Sequence, residues 1–164
     1  MKKIVIRFNA PVILAFALLS LLALLLGKWT DGAATYQYFS VYRASLSDPL
    51  TYVRFFGHVL GHADYEHYMG NMLLILLVGP GLEEKYGSGT MVWTIAVTAL
   101  VTGLVHFVFF PGSVLLGASG VVFMMIVLSS FTAMRRGEIP ITLILVVIFY
   151  LGGEIMDGLF KQDN

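Results

Sequence analysis

Cysteine is missing from all 164 residues. Its absence excludes disulfides, thiolate metal sites and thiol redox chemistry, and it leaves the redox compartment unspecified. Charge is also scarce: Asp, Glu, Lys and Arg make up 12% of the chain, against about 25% in an ordinary soluble domain. The ten basic and ten acidic residues cancel, which removes the basic footprint expected of a nucleic-acid binder. What is abundant is apolar surface, with 58% hydrophobic residues and a mean hydropathy of +0.84. The apolar stretches are long and continuous rather than short and alternating. That pattern argues against a transmembrane β-barrel and for an all-α, polytopic transmembrane helical bundle whose solvent is the lipid bilayer.

Five stretches approach the ~20 residues of a bilayer crossing: about 9–26, 68–82, 90–110, 114–134 and 139–155. The first follows Lys2, Lys3 and Arg7 and so imitates a secretory signal. Gly27-Lys28-Trp29 makes a poor cleavage site, however, and a retained span is the expectation. A connector, 27–67, is rich in aromatic residues such as Trp29, Tyr36, Tyr42 and Phe55. Within it, Pro49–Gly61 has helical apolar spacing suited to the membrane interface. Glu83–Gly89 reads as a tight polar turn, Pro111-Gly112-Ser113 as a break, and Arg135–Glu138 as the end of the fourth span. Pro140 suits the first turn of the fifth.

The Lys and Arg bias puts the N-terminus in the cytoplasm, with Lys2, Lys3, Arg7, Lys85, Arg135 and Arg136 on that side. Lys28, Arg43, Arg54 and Lys161 then fall outside. Spans two and four both enter from the outside, so their N-terminal ends lie at similar depth. The second begins with His67 and Asn71, the fourth near Ser119. His67 and Asn71 are four positions apart, which places them on one helical face. Polar side chains in a span usually face the protein interior or water. Ser119 lies in Gly117-Ala118-Ser119-Gly120. Gly117 and Gly120 permit close approach of a neighbouring helix or a substrate backbone. A serine in such a setting is either a packing element or a nucleophile. Near a helix N-terminus it has the backbone N–H groups and dipole that an oxyanion site uses.

At these residues the chain resembles the rhomboid family of intramembrane serine proteases. The shared motifs are His62 and His67-Tyr68-Met69-Gly70-Asn71, then Gly79-Pro80-Gly81-Leu82-Glu83-Glu84-Lys85-Tyr86-Gly87-Ser88, then Gly117-Ala118-Ser119-Gly120. Arg54 with Phe55 and Phe56 is similar to the Trp-Arg signature of the family's first loop, although Val53 stands in place of tryptophan. The resemblance covers roughly 52–150. It implies that Ser119 is the nucleophile and that the Ser119 N–H, His67 and Asn71 stabilise the oxyanion. Gly117, Gly120, His62 and Arg54 are implied as supporting residues. It further implies a partly submerged connector, a lateral gate at span five, and single-pass transmembrane proteins as substrates. It calls for no metal and no cofactor. Compact loops and a short basic start suit a bacterial inner membrane.

One feature of the family pattern is missing. Rhomboids use a Ser-His dyad whose histidine belongs to a sixth span, whereas the histidines of this chain are His58, His62, His67 and His106, all before Ser119. His106 has a plausible depth but sits in span three. His58 and His62 are one turn apart, which suits interfacial hydrogen bonding better than metal binding. Glu154 and Asp157 are taken as surface groups. A serine hydroxyl without a base is a poor nucleophile, so the 164 residues are expected to be nearly inactive alone. The expectation is C-terminal truncation of a six-span protease. The alternative is a non-catalytic rhomboid-like protein that binds membrane helices in trafficking or quality control.

Overall fold

The computed structural model describes residues 9–133, 139–141, 143–149 and 152. Lys2, Lys3, Arg7, Arg135, Arg136, Lys161, Glu154 and Asp157 lie outside the described residues. The described residues include the helices α1 (Pro11–Trp29), α2 (Ala33–Tyr38), α3 (Pro49–Gly57), α4 (Tyr65–Tyr86), α5 (Ser88–Phe109) and α6 (Ser119–Ala133), with a 3-10 turn at His58–Leu60. Residues 143–149 are also helical, beginning where Leu143 N–H donates to the Pro140 carbonyl at 3.0 Å. No strand occurs among the described residues. An isolated bridge joins Val41 and Leu115.

Among the described helices, α1 (19 residues) and α5 (22 residues) are long and apolar enough to cross a membrane, with mean hydropathy 2.3 and 2.0 over their most apolar 18 residues. α4 has 22 residues but carries Glu66, Glu83, Glu84 and Lys85 at its ends. α6 is apolar over its 15 residues. Hydropathy places the start of the fourth span near 114, whereas the helix starts at Ser119. Leu115 is held instead by reciprocal bonds with Val41 at 2.8 and 2.9 Å, and the chain turns at Gly117 with φ +123. The expected polar turn at 83–89 is shorter too. α4 continues to Tyr86, Gly87 turns the chain at φ +83, and α5 begins at Ser88.

The end of α4 has a structural task. α1 starts with Pro11 at its first position and receives no side-chain cap from Ala10. Its cap comes from α4, where the Glu83 carboxylate accepts the Val12 and Ile13 N–H groups, each at 3.0 Å. Ser88 Oγ donates to the same carboxylate at 2.6 Å. Glu83 is buried. A buried carboxylate is costly without donors, and here three donors and the positive end of α1 offset that cost.

α4 packs against α1 on one side and α6 on the other, and α3 packs against α5. Ile13, Ile75, Met91, Val121, Val122 and Met125 form the fully buried centre. In lipid the driving force for such contacts is close packing rather than removal from water. Gly79 shows it: a Cβ there would stand 2.7 Å from Ile13 Cδ1. The connector is folded rather than loose. Arg54 is buried, donating Nε–H to the Gln37 carbonyl at 2.9 Å and Nη1–H to Asp48 Oδ2 at 3.0 Å. Asp48 also caps α3 by accepting from Leu50 N–H. Arg43 Nη1 donates to the Phe107 carbonyl at 2.8 Å, in the last turn of α5. The 3-10 turn reaches the middle of α5, where His58 Nε2–H donates to the Ala99 carbonyl at 3.0 Å.

Candidate active site

α4 starts with Asp64, whose Oδ1 accepts the His67 N–H at 2.8 Å. This cap fixes His67 in the first turn, where it is half-buried. Asn71 follows one turn later on the same face and is buried, with Nδ2 donating to the His67 carbonyl at 3.2 Å. Nδ2 carries a second proton by its chemistry.

The loop before α6 comes down onto this face. A Cβ at Gly117 would meet His67 Nε2 at 2.7 Å, Cε1 at 2.8 Å and Asn71 Nδ2 at 4.0 Å. The open side of Gly117 therefore faces the His67 ring closely, with the Asn71 amide next to it, two residues before Ser119. Ser119 is the first residue of α6 and is half-buried. It stands at the positive end of that helix dipole.

The supporting residues divide. His62 belongs to this region, with its ring packed edge-on against His67 at 5.0 Å between centroids. It is buried, and its Nδ1–H donates to the Leu60 carbonyl at 3.1 Å. A carbonyl only accepts, so that nitrogen carries the proton. Burial, and secondarily the neighbouring His67, lower the His62 pKa to about 4, so this ring is neutral at physiological pH. Gly120 faces elsewhere. Its missing Cβ makes room for Thr102 of α5, 3.1 Å away at Cγ2. Arg54 binds within the connector, as described above.

His58 has a larger part than its sequence setting suggests. Its carbonyl accepts the Gly117 N–H at 2.9 Å, and its ring is anchored on Ala99. His58 thus ties the loop before Ser119 to α5, while burial lowers its pKa. The spacing of four from His62 reads as a helical face, but the segment is a 3-10 turn leading into non-helical backbone. His106 is committed to the α5–α6 loop: Nε2–H donates to the Ser113 carbonyl at 3.1 Å, and its ring stacks on Phe110.

The described residues form a helical protein with two helices apolar enough to cross a membrane and a serine at a helix start, two residues after a glycine that lies against a His/Asn pair. The Rhomboid domain family matches residues 49–164, well over half of the chain. The chain belongs to the rhomboid family, whose members are generally intramembrane serine proteases. No curated protein matches it.

Proposed function

We propose that the protein is an intramembrane serine endopeptidase that cleaves single-pass transmembrane proteins by acyl transfer through Ser119. The observation that carries this reading is the close approach of Gly117 to the His67 ring, with the Asn71 amide next to it. It brings two hydrogen-bonding side chains against the loop that delivers Ser119. In this mechanism Ser119 Oγ attacks the scissile carbonyl carbon and passes its proton to a general base. The negative charge that develops on the carbonyl oxygen is met by the Ser119 N–H, His67 and the second Asn71 amide proton. Collapse of the tetrahedral intermediate expels the amine, which takes the proton back from the base. Water then cleaves the acyl-enzyme by the same steps in reverse.

The reading assigns the base to a histidine outside positions 1–164. His58, His62 and His106 each engage a backbone carbonyl, and His67 is assigned to the oxyanion. It also takes five spans, namely α1, α4, α5, α6 and 139–155, with a sixth beyond them. The N-terminus is cytoplasmic, the connector 27–67 faces the outside, and the membrane is a bacterial inner membrane. The family and the two apolar helices support the membrane setting, and the Lys and Arg bias supports the orientation.

A second reading, a non-catalytic helix-binding relative, is favoured by one observation: His58, His62 and His106 are each engaged with a backbone carbonyl. The two separate in one experiment. A form extended to include the sixth span is treated with a fluorophosphonate, and the labelled peptide is mapped. Labelling at Ser119 that disappears in Ser119→Ala supports the protease. Absence of labelling, or labelling that persists in the alanine variant, overturns it. Helix binding unaffected by Ser119→Ala would support the second reading.

A further inference from the structure

The backbone of His67 is tied down, with its N–H on Asp64 and its carbonyl on Asn71. Its ring makes no hydrogen bond to another described residue. An imidazole so placed can turn about two side-chain torsions. A donor to an oxyanion must nevertheless be oriented before the charge develops. Packing has to supply that orientation. One body against the ring is Gly117, close to Nε2 and Cε1. The other is the ring of His62, which lies edge-on to it at 5.0 Å between centroids, with the planes at 70°.

His62 is itself held firmly. It is 1% exposed, so its ring has no solvent to swing into. Its Nδ1–H donates to the Leu60 carbonyl at 3.1 Å, which fixes the ring plane. It also lies edge-on to Tyr68 at 5.5 Å and 85°. The Tyr68 hydroxyl donates in turn to the Ala17 carbonyl of α1 at 3.1 Å. A chain of contacts thus runs from α1 through Tyr68 and His62 to His67.

An imidazole at this place carries a penalty that a phenyl ring would avoid. With Nδ1 protonated, Nε2 is an acceptor, and it is buried with no partner among the described residues. A phenyl ring could pack there but could not take the Leu60 bond. Burial also lowers the His62 pKa to about 4, so no positive charge stands against the His67 ring. A polar side chain retained under these conditions points to orientation as its task.

We propose that His62 is a positioning residue: it holds the His67 ring in the orientation that meets the oxyanion, and leaves both His67 nitrogens unbound. His62 acts through His67 and not on the substrate. The kinetic part of this proposal rests on the protease reading, whereas the hold on the ring does not.

Two measurements on the extended protein test it. Histidine labelled with carbon-13 at Cε1 gives one signal for each ring, and His67→Gln identifies the signal of His67. The order parameter of that carbon–hydrogen bond reports how firmly the ring is held. His62→Ala, and the bulkier His62→Leu if the alanine variant does not fold, should lower it. The same variants should reduce kcat about ten-fold or more with KM changed less than about two-fold, because the fault lies in orientation. His62→Phe restores an aromatic wall without its anchor, so both readouts should fall between those of wild type and His62→Ala. Glu83→Ala loosens the far end of α4 and should leave the order parameter of His67 unchanged. An unchanged order parameter in His62→Ala or His62→Leu overturns the proposal, whatever the kinetics. An equal fall in Glu83→Ala also overturns it, since general loosening would then explain the effect. A wild type that does not turn over refutes the protease reading instead, and the order parameters still decide whether His62 holds the ring.

Discussion

The backbone of Gly117 lies so close to the His67 imidazole that a Cβ at position 117 would stand 2.7 Å from Nε2. Gly117 also has φ +123, where an L side chain is strained at a cost of about 1–3 kcal/mol. Gly117→Ala therefore meets two penalties at one point. Relief comes by moving the ring, the loop, or both, and each alters the setting of Ser119. In the extended protein, fluorophosphonate labelling of Ser119 is expected to slow about ten-fold or more. The thermal midpoint should shift by only a few degrees, because the loop is a small part of the fold. Unchanged labelling in Gly117→Ala would separate the glycine from the chemistry.

A second prediction concerns Glu83 and α1. The carboxylate accepts two N–H groups from the first turn of α1 and the Ser88 hydroxyl. Removing it leaves buried donors unsatisfied, at about 1–3 kcal/mol for each group. Glu83→Ala is expected to destabilise the fold by about 2–4 kcal/mol. Glu83→Gln should cost less, since its amide oxygen still accepts while the charge that favours the helix N-terminus is lost. Unfolding in mixed micelles measures both. Equal stability of wild type and Glu83→Ala would show that α1 is held by packing alone.

Acid should loosen the connector before it touches the spans. His62 titrates near 4 in the folded protein against an ordinary 6.5, and His58 is lowered in the same direction, both chiefly by burial. Between about pH 6.5 and 4 the unfolded chain binds protons that the folded His62 refuses, so stability rises with pH across this window. The contribution is complete above about 6.5 and is lost as pH falls toward 4. Thermal midpoints at pH 7.5, 6, 5 and 4.5 should decline. The decline should be shallower in His62→Gln, which removes one titrating group. Parallel curves for the two proteins would refute this assignment.

Much of the candidate site was legible because it rests on local periodicity. The four-residue spacing puts His67 and Asn71 on one face, and Gly-x-Ser-Gly at the head of an apolar run marks a helix start. What escaped depends on partners far away in the chain. Hydropathy could not tell extended from helical backbone at 114–118, because the pairing that decides it joins Leu115 to Val41. Glu83 looked like a turn residue, since its partners, Val12 and Ile13, lie some seventy residues away. His58 showed a helical spacing to His62, yet its role comes from a carbonyl that binds Gly117 and a ring that binds Ala99. These long-range contacts cap α1, seat the 3-10 turn on α5 and hold the loop before α6, and none leaves a short-range mark.

The division of labour between His67 and Asn71 gives the last prediction. If both stabilise one oxyanion, removing either should slow acylation without weakening substrate binding in proportion. Loss of a single oxyanion donor typically costs about 10²–10³ in kcat. Asn71→Ala is expected to fall in this range in the extended protein, with KM changed by less than about three-fold, since the interaction is made only in the transition state. His67→Ala should cost at least as much, because it also removes the surface on which Gly117 rests. The double variant should cost less than the product of the two, since groups that act as a unit are not additive. A conservative check is Asn71→Gln, which keeps the amide but shifts it by one methylene. Partial activity there would support hydrogen bonding over packing. Asn71 sits one turn from His67 and donates to its carbonyl, so a purely structural role predicts a different pattern: lower thermal stability in Asn71→Ala with kcat nearly intact.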